Sequence, residues 1–197
     1  MEHATFDNKR CIKTMVQALS NIEVILLNIV NEKPSYAYEI DKTIECRDMR
    51  RWVRVGVASI YQVLKRLEEK ELVYSKNEKE GRMPDRKRYY ITDSGKEALA
   101  ADCKRLLSEF EWYYLDLNVG LETSDVLTAD EMADCLTKRL HLVKINIKRL
   151  KENLSIEAEM PYKKREIVKN LIYFREAEQK FLQEILQGLS SGSYRSI

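Results

Sequence analysis

From Thr128 to Leu189, apolar residues recur every three or four positions, and this recurrence limits the fold more than any other feature of the chain. The first run is Met132, Leu136, Leu140, Val143, Ile147, Leu150 and Leu154, at spacings of 4, 4, 3, 4, 3 and 4 residues. Such spacing puts all seven side chains on one seam of an α-helix. Thr128, with Glu131 three residues on, reads as a capping box, in which each side chain satisfies a backbone N–H that the first turn leaves free. Pro161 suits the first position of a second long helix, whose stripe is Ile167, Leu171, Phe174, Phe181, Ile185 and Leu189. Neither stripe is buried by its own helix. The two need each other, a second copy of the chain, or both. The final GLSSGSYRSI carries no such pattern and reads as a frayed tail.

The N-terminal half has shorter periods. Ser20-Asn21-Ile22-Glu23 is a further capping box, followed by Ile22, Ile25, Leu26, Ile29 and Val30 at helical spacing until Pro34 stops the run. Ser35 is expected to cap the next helix, with Ile40 and Ile44 inward. Trp52-Val53-Arg54-Val55 is rich in strand formers and predicts a short strand, with Trp52 turned to the core. Gly56 then opens a helix whose inward residues are Ile60, Leu64 and Leu67, with Val63 at the margin. Its outward residues are Ser59, Gln62, Lys65, Arg66 and Glu69. Leu72-Val73-Tyr74 and Tyr89-Tyr90-Ile91 pair as a hairpin around Pro84-Asp85, one of the two adjacent tyrosines facing the core. Thr92-Asp93-Ser94-Gly95 starts another helix, with Ser94 and Glu97 as its capping box. Upstream, Ile12, Met15, Val16 and Leu19 suit an extra amphipathic helix. Helix, helix, short strand, helix and hairpin in this order describe a winged helix-turn-helix with the hairpin as wing. The fold class is mainly α, of α+β type. The expected division is an N-terminal arm at 1–19, the winged helix at 20–95 and long helices at 96–197.

Charge is balanced in number but not in place. Against 34 Lys and Arg stand 32 Asp and Glu, a net +2. Yet Arg47, Arg50, Arg51 and Arg54 cluster before the third helix, and Arg82, Arg86, Lys87 and Arg88 crowd the hairpin. Three basic segments around one winged-helix unit point to double-stranded DNA. Ser59, Gln62 and Lys65 stand where side chains enter a major groove, Gln62 suited to adenine and Lys65 to guanine or phosphate. Arg66 lies beside them. Tyr61, on the helix shoulder, either donates to a phosphate or packs half-buried. The wing cations Arg82, Arg86, Lys87 and Arg88 suit backbone phosphates or the minor groove. Arg50, Arg51 and Arg54 either join them or pair with Asp48, Glu68 or Glu69.

Other classes find little support. The four cysteines, Cys11, Cys46, Cys103 and Cys135, form no Cys-x-x-Cys, and neither His3 nor His141 stands at ligand spacing from one. No metal site, cofactor, nucleophile or phosphate loop is expected, so the chain does not read as an enzyme. No apolar run approaches the ~20 residues of a membrane span, and MEHATFDNKR is unlike a signal peptide, so a cytoplasmic protein is expected. Phe110, Trp112, Tyr113 and Tyr114 fall within five residues. They either line a pocket for a small planar effector or pack the junction between the two halves.

Several of these residues carry a resemblance. Leu19-Ser20, Pro34-x-x-x-Tyr38-Glu39-Ile40, Ser59-Ile60-Tyr61-Gln62-Val63-Leu64-Lys65-Arg66-Leu67-Glu68 and Arg88-Tyr89-Tyr90-x-Thr92-x-x-Gly95 are similar to motifs of the PadR family of bacterial transcription regulators. The resemblance spans about residues 19–99. Tyr114-Leu115-Asp116-Leu117, Lys138-Arg139-Leu140 and the last helix resemble the longer subfamily, in which a helical C-terminal domain dimerises the protein. It implies a homodimer, repression from a near-palindromic operator, and aromatic effectors received at the dimer interface. Two family glycines are missing. Ala37 precedes Tyr38-Glu39-Ile40, and Lys70-Glu71 follows the recognition helix, which predicts a helix that ends differently or runs longer. Two alternatives remain open. One is a winged-helix adaptor for a ligand or partner, without sequence-specific DNA binding. The other is a MarR-like regulator, dimerised through both ends of the chain.

Overall fold

The structure is a computed structural model that describes residues 18–78, 86–156 and 160–191. It divides into two compact units, Met1–Glu111 and Trp112–Ile197. The helix expected around Ile12, Met15 and Val16 lies outside the described residues. Leu19, assigned to it, is buried in the core of the first unit, in non-helical chain.

The first unit runs α1 (Asn21–Glu32), β1 (Ser35–Tyr36), α2 (Ala37–Cys46), a 3-10 turn (Met49–Arg51), α3 (Val57–Glu69), β2 (Val73–Glu78), β3 (Arg86–Ile91) and α4 (Asp93–Ser108). The strands form one antiparallel sheet in the order β1-β3-β2, with Ser35 opposite Tyr89 and Tyr74 opposite Tyr90. This is a winged helix-turn-helix, and its core joins Leu26, Leu27, Ile40, Ile44, Ile60 and Leu64. Val63, placed at the margin by the sequence, is only 1% exposed and belongs to that core.

The extra strand is not where the sequence put it. Residues 52–55 form no strand. Asp48 takes a left-handed conformation, φ 57°, and the N–H groups of Trp52 and Val53 both donate to the Met49 carbonyl, at 3.1 and 2.9 Å. That turn directs Val53 inward and leaves Trp52 38% exposed rather than in the core. The strand comes instead from Ser35–Tyr36, just after Pro34. Ser35 therefore does not cap α2; its hydroxyl donates to the Lys33 carbonyl at 2.9 Å, and Glu39 accepts the Tyr36 N–H at 2.9 Å. At α4 the cap is Thr92, whose hydroxyl accepts the Gly95 N–H at 2.9 Å, not Ser94. Past residue 95, α4 still belongs to this unit. Asp102 accepts the Leu19 N–H at 3.1 Å and is clasped by Arg105 at 2.6–2.7 Å.

The end of α3 corrects the expectation drawn from the missing glycine. The Leu72 N–H reaches the Leu67 carbonyl at 2.9 Å and the Glu71 N–H reaches that of Glu68 at 3.0 Å. That pair of bonds is the Schellman motif. Glu71 occupies its left-handed position with φ 57°, so the helix stops as a glycine would stop it, with a glutamate carrying the strain. Next to it, the Thr92 N–H donates to the Leu72 carbonyl at 3.1 Å. Gly95 presses on the same carbonyl so closely that a Cβ there would lie 2.1 Å from the Leu72 oxygen.

The second unit holds α5 (Asp116–Glu122), a 3-10 turn (Ser124–Val126), α6 (Ala129–Ile156) and α7 (Tyr162–Ser190). Glu131 accepts from the Thr128 N–H and hydroxyl, both at 2.9 Å, and caps α6 as its sequence requires. Met132, Leu136, Val143, Ile147 and Leu150 are buried along the expected seam. On α7 the buried residues are Ile172 and Leu182, whereas the expected Ile167, Phe174 and Phe181 are 37%, 49% and 41% exposed. Leu171, Ile185 and Leu189 of the expected stripe are half-buried, Ile185 and Leu189 against the α6 core, and Glu178 meets Arg139 of α6 at 2.7 Å.

Two outcomes follow for stability. Glu71→Gly should raise the unfolding free energy of the first unit by about 0.5–1 kcal/mol, because relief of the left-handed strain exceeds the entropy glycine adds to the unfolded chain. Urea titration reads this directly, and a loss of stability would contradict the Schellman geometry. Glu23 on α1 is buried, which pushes its carboxyl up, but hydrogen bonds from Lys70 and from the Ser20 backbone and hydroxyl outweigh this and hold it below the usual carboxylate value. A carboxylate depressed by folding stabilises above its unfolded pKa, and that stabilisation is lost as pH falls through the folded value. Wild type should therefore lose more stability than Glu23→Gln as pH is lowered from about 5 through the carboxylate range, the two curves converging in acid.

Candidate nucleic-acid interface

Helix α3 is two-faced by sequence. Ile60, Val63, Leu64 and Leu67 are at most 1% exposed. Helical periodicity then forces Tyr61, Gln62, Lys65, Arg66 and Glu69 outward, and all five are exposed. Ser59, expected on the outward face, turns back to its own cap: its hydroxyl accepts the Gly56 N–H at 3.0 Å and is hydrogen-bonded to the Gly56 carbonyl. A helix opened by glycine has no capping side chain of its own, and Ser59 supplies the oxygen.

The wing stands beside α3. Arg82 lies outside the described residues. Along β3 the side chains alternate. Lys87 and Tyr89 face the α3 side, Tyr89 buried and Lys87 3.7 Å from Glu68. Burial pushes the Tyr89 hydroxyl above its ordinary value. Arg86, Arg88 and Tyr90 share the other face, where four tyrosines gather. Tyr74 and Tyr90 stack at 5.2 Å between centroids, with Lys76 over both rings. Arg88 lies 4.5 Å over Tyr36, and Arg86 lies 5.3 Å over Tyr38. Glu78 gathers this face: it accepts from the hydroxyls of Tyr90 and Tyr36 and meets Arg88 at 3.0 Å. The Tyr90 hydrogen bond, and then the Arg88 charge, hold the Glu78 carboxyl below its ordinary value. So of the two tyrosines the sequence could not separate, Tyr89 is the core residue.

The arginine cluster before α3 is largely neutralised within the chain. Arg47 pairs with Glu32, Arg50 with Asp41 and Arg51 with Asp48. Arg54 remains exposed at the approach to α3 with no carboxylate partner among the described residues, and it was not singled out from its neighbours by sequence. Position alone could have done so, since it is the arginine nearest the start of the recognition helix. On α3 and β3, Lys65 is 3.7 Å from Glu69 and Arg66 is 3.9 Å from Glu23. Arg86 has no described carboxylate within ion-pair distance.

The aromatic stretch falls at the boundary between the units. Phe110 closes the first unit, and Trp112, Tyr113 and Tyr114 open the second, 71%, 56% and 92% exposed. Tyr113 meets Phe174 edge-on at 5.3 Å. The second unit also has an open apolar groove of about 490 Å³ between α5 and α6, with Leu117, Leu121, Met132 and Leu136 in its walls and none of the four aromatics.

Comparison with known proteins agrees with this geometry. Residues 26–101 match the transcriptional regulator PadR-like family. No curated protein sequence matches the chain. Among solved structures, Bacillus subtilis PadR in complex with operator DNA is similar at 17% identity and a TM-score of 0.69, covering 85% of this chain and 98% of that one. The same regulator in complex with p-coumaric acid gives 16% identity, a TM-score of 0.70, and coverage of 86% and 98%. The smu.1604c protein of Streptococcus mutans UA159 gives 25% identity, a TM-score of 0.60, and coverage of 84% and 98%. The two PadR structures share the fold of both units. A winged helix over residues that match the PadR-like model thus makes the first unit similar to the PadR-like family of transcriptional regulators.

Proposed function

We propose that the chain is a homodimeric regulator that binds double-stranded DNA sequence-specifically and represses from a near-palindromic operator. The observation that carries this reading is the outward face of α3, where Tyr61, Gln62 and Lys65 are held exposed by a fully buried opposite face. Gln62 reads bases in the major groove, and Lys65, Tyr61, Arg54 and the wing cations, Arg86 first among them, take phosphates. Two such helices in a dimer would meet half-sites about one helical turn, ~10 bp, apart or a multiple of it. The dimer forms through the second unit, where Ile167 and Phe181 remain exposed along α7. A small planar aromatic effector, received by the stretch from Phe110 to Tyr114 in the dimer, shifts the spacing between recognition helices and releases DNA. In support, PadR of the same fold has been solved both on operator DNA and with p-coumaric acid.

Fluorescence anisotropy on duplexes tiled across the gene's own upstream region tests the reading. The best tile should bind roughly 10³-fold tighter than a scrambled duplex at physiological salt. Arg86→Ala should weaken both and flatten the slope of log K against log salt by about 0.9. Equal, weak binding to every tile would leave the adaptor reading in its place. Planar aromatic acids added to the bound tile should release it. No release would leave the aromatic stretch to packing alone.

Sedimentation velocity tests the assembly. Wild type should run as a dimer at micromolar concentration, and Ile167→Asp combined with Phe181→Asp should run as a monomer with unchanged helicity. A wild-type monomer would overturn the dimer.

A further inference from the structure

Two exposed lysines of the proposed interface share a peculiarity. Lys65 on α3 lies 3.7 Å from Glu69, one turn along, and Lys87 on β3 lies 3.7 Å from Glu68. Their side chains are 78% and 57% exposed. Both separations exceed a hydrogen bond, and loose pairs in water contribute little to folding. They differ from the carboxylates that hold the unit together. Glu23 is 6% exposed and takes Lys70 at 2.8 Å, and Glu78 is bound by two tyrosines and an arginine.

We infer that Glu68 and Glu69 are built-in counter-ions that hold down the sequence-independent DNA affinity of this surface, making Lys65 and Lys87 phosphate ligands only once a carboxylate has been displaced. This rests on the DNA-binding reading above. Sequence-independent binding is almost entirely electrostatic, and each phosphate neutralised releases counterions. A carboxylate that already neutralises a lysine removes that release, and within a Debye length of ~8–10 Å it also repels the phosphate. Base contacts by Gln62 carry no such penalty. The pairs therefore subtract from binding to any duplex without subtracting from base readout, which improves discrimination against bulk DNA. Glu68 has a second task that glutamine would keep: its Oε1 accepts the Ser75 N–H at 3.2 Å and the Ser75 hydroxyl. Replacement by glutamine removes the charge and leaves this acceptor.

The full-length Glu68→Gln/Glu69→Gln variant, with Glu69→Gln alone as a purely surface change, tests the inference on a random-sequence duplex by anisotropy between about 50 and 200 mM salt. The double variant should bind roughly three- to tenfold tighter, with a slope steeper by about 0.9 for each lysine released. Glu176→Gln on α7, whose carboxylate pairs with Lys151 outside the winged-helix unit, removes one charge elsewhere and should change affinity less than about twofold. An unchanged slope in the double variant, or an equal gain from Glu176→Gln, overturns the inference. If wild type binds the duplex and the variants match it, only the counter-ion role falls. If no protein shows salt-dependent binding to any duplex, the DNA-binding reading falls and takes the inference with it.

Discussion

The Leu72 carbonyl is the point on which the first unit depends. It lies one residue past the left-handed turn that stops α3, accepts the Thr92 N–H that ends β3, and receives Gly95 of α4 at a distance no other side chain permits. Three elements are thus registered on one peptide. The direction in which α3 stops fixes where β2 begins, and the β2–β3 register fixes where α4 starts. With Ile60, Val63, Leu64 and Leu67 buried in the shared core, the outward face of α3 is set by subtraction.

Charge follows a different logic from packing. A chain with a net charge of +2 cannot rely on a general positive field, so local arrangement has to supply any attraction to a polyanion. Most arginines before α3 are consumed by carboxylates of their own unit, and Lys76, Arg86 and Arg88 on the sheet lie over tyrosine rings. A cation over a ring keeps its charge while its stem is fixed in direction. Arg86 on Tyr38 is therefore oriented and, among the described residues, unneutralised, a combination that none of the carboxylate-paired cations has.

How much of this was legible in the sequence varies with the length scale of the signal. The α3 faces were readable because Ile60, Leu64 and Leu67 at helical spacing leave one solution, with only Val63 placed too far out. The α6 seam was readable for the same reason. The α7 face was readable only in part: Ile185 and Leu189 pack on the core as the spacing requires, but Phe174 and Phe181 are exposed where Ile172 and Leu182 are buried. The strand expected at Trp52 failed because strand propensity is weaker than a turn locked by two hydrogen bonds to Met49. Tyr89 and Tyr90 could not be separated until the register with β2 was known. Glu71 misled in the opposite way: the rule that glycine terminates such helices is a preference of about 1 kcal/mol, and the bonds around Leu72 exceed it. Among the site residues, Gln62 and Lys65 stand where the pattern placed them. Ser59 does not, because Gly56 left a cap unfilled.

The chain contains two tryptophans, and the division into units assigns one to each. Trp52 sits partly exposed in the turn that leads into α3, and Trp112 opens the second unit. The protein thus carries its own pair of optical reporters. With either indole replaced by phenylalanine, the remaining emission belongs to a single unit, so events at the approach to the recognition helix and events at the start of the helical half have separate spectroscopic signatures without any attached dye.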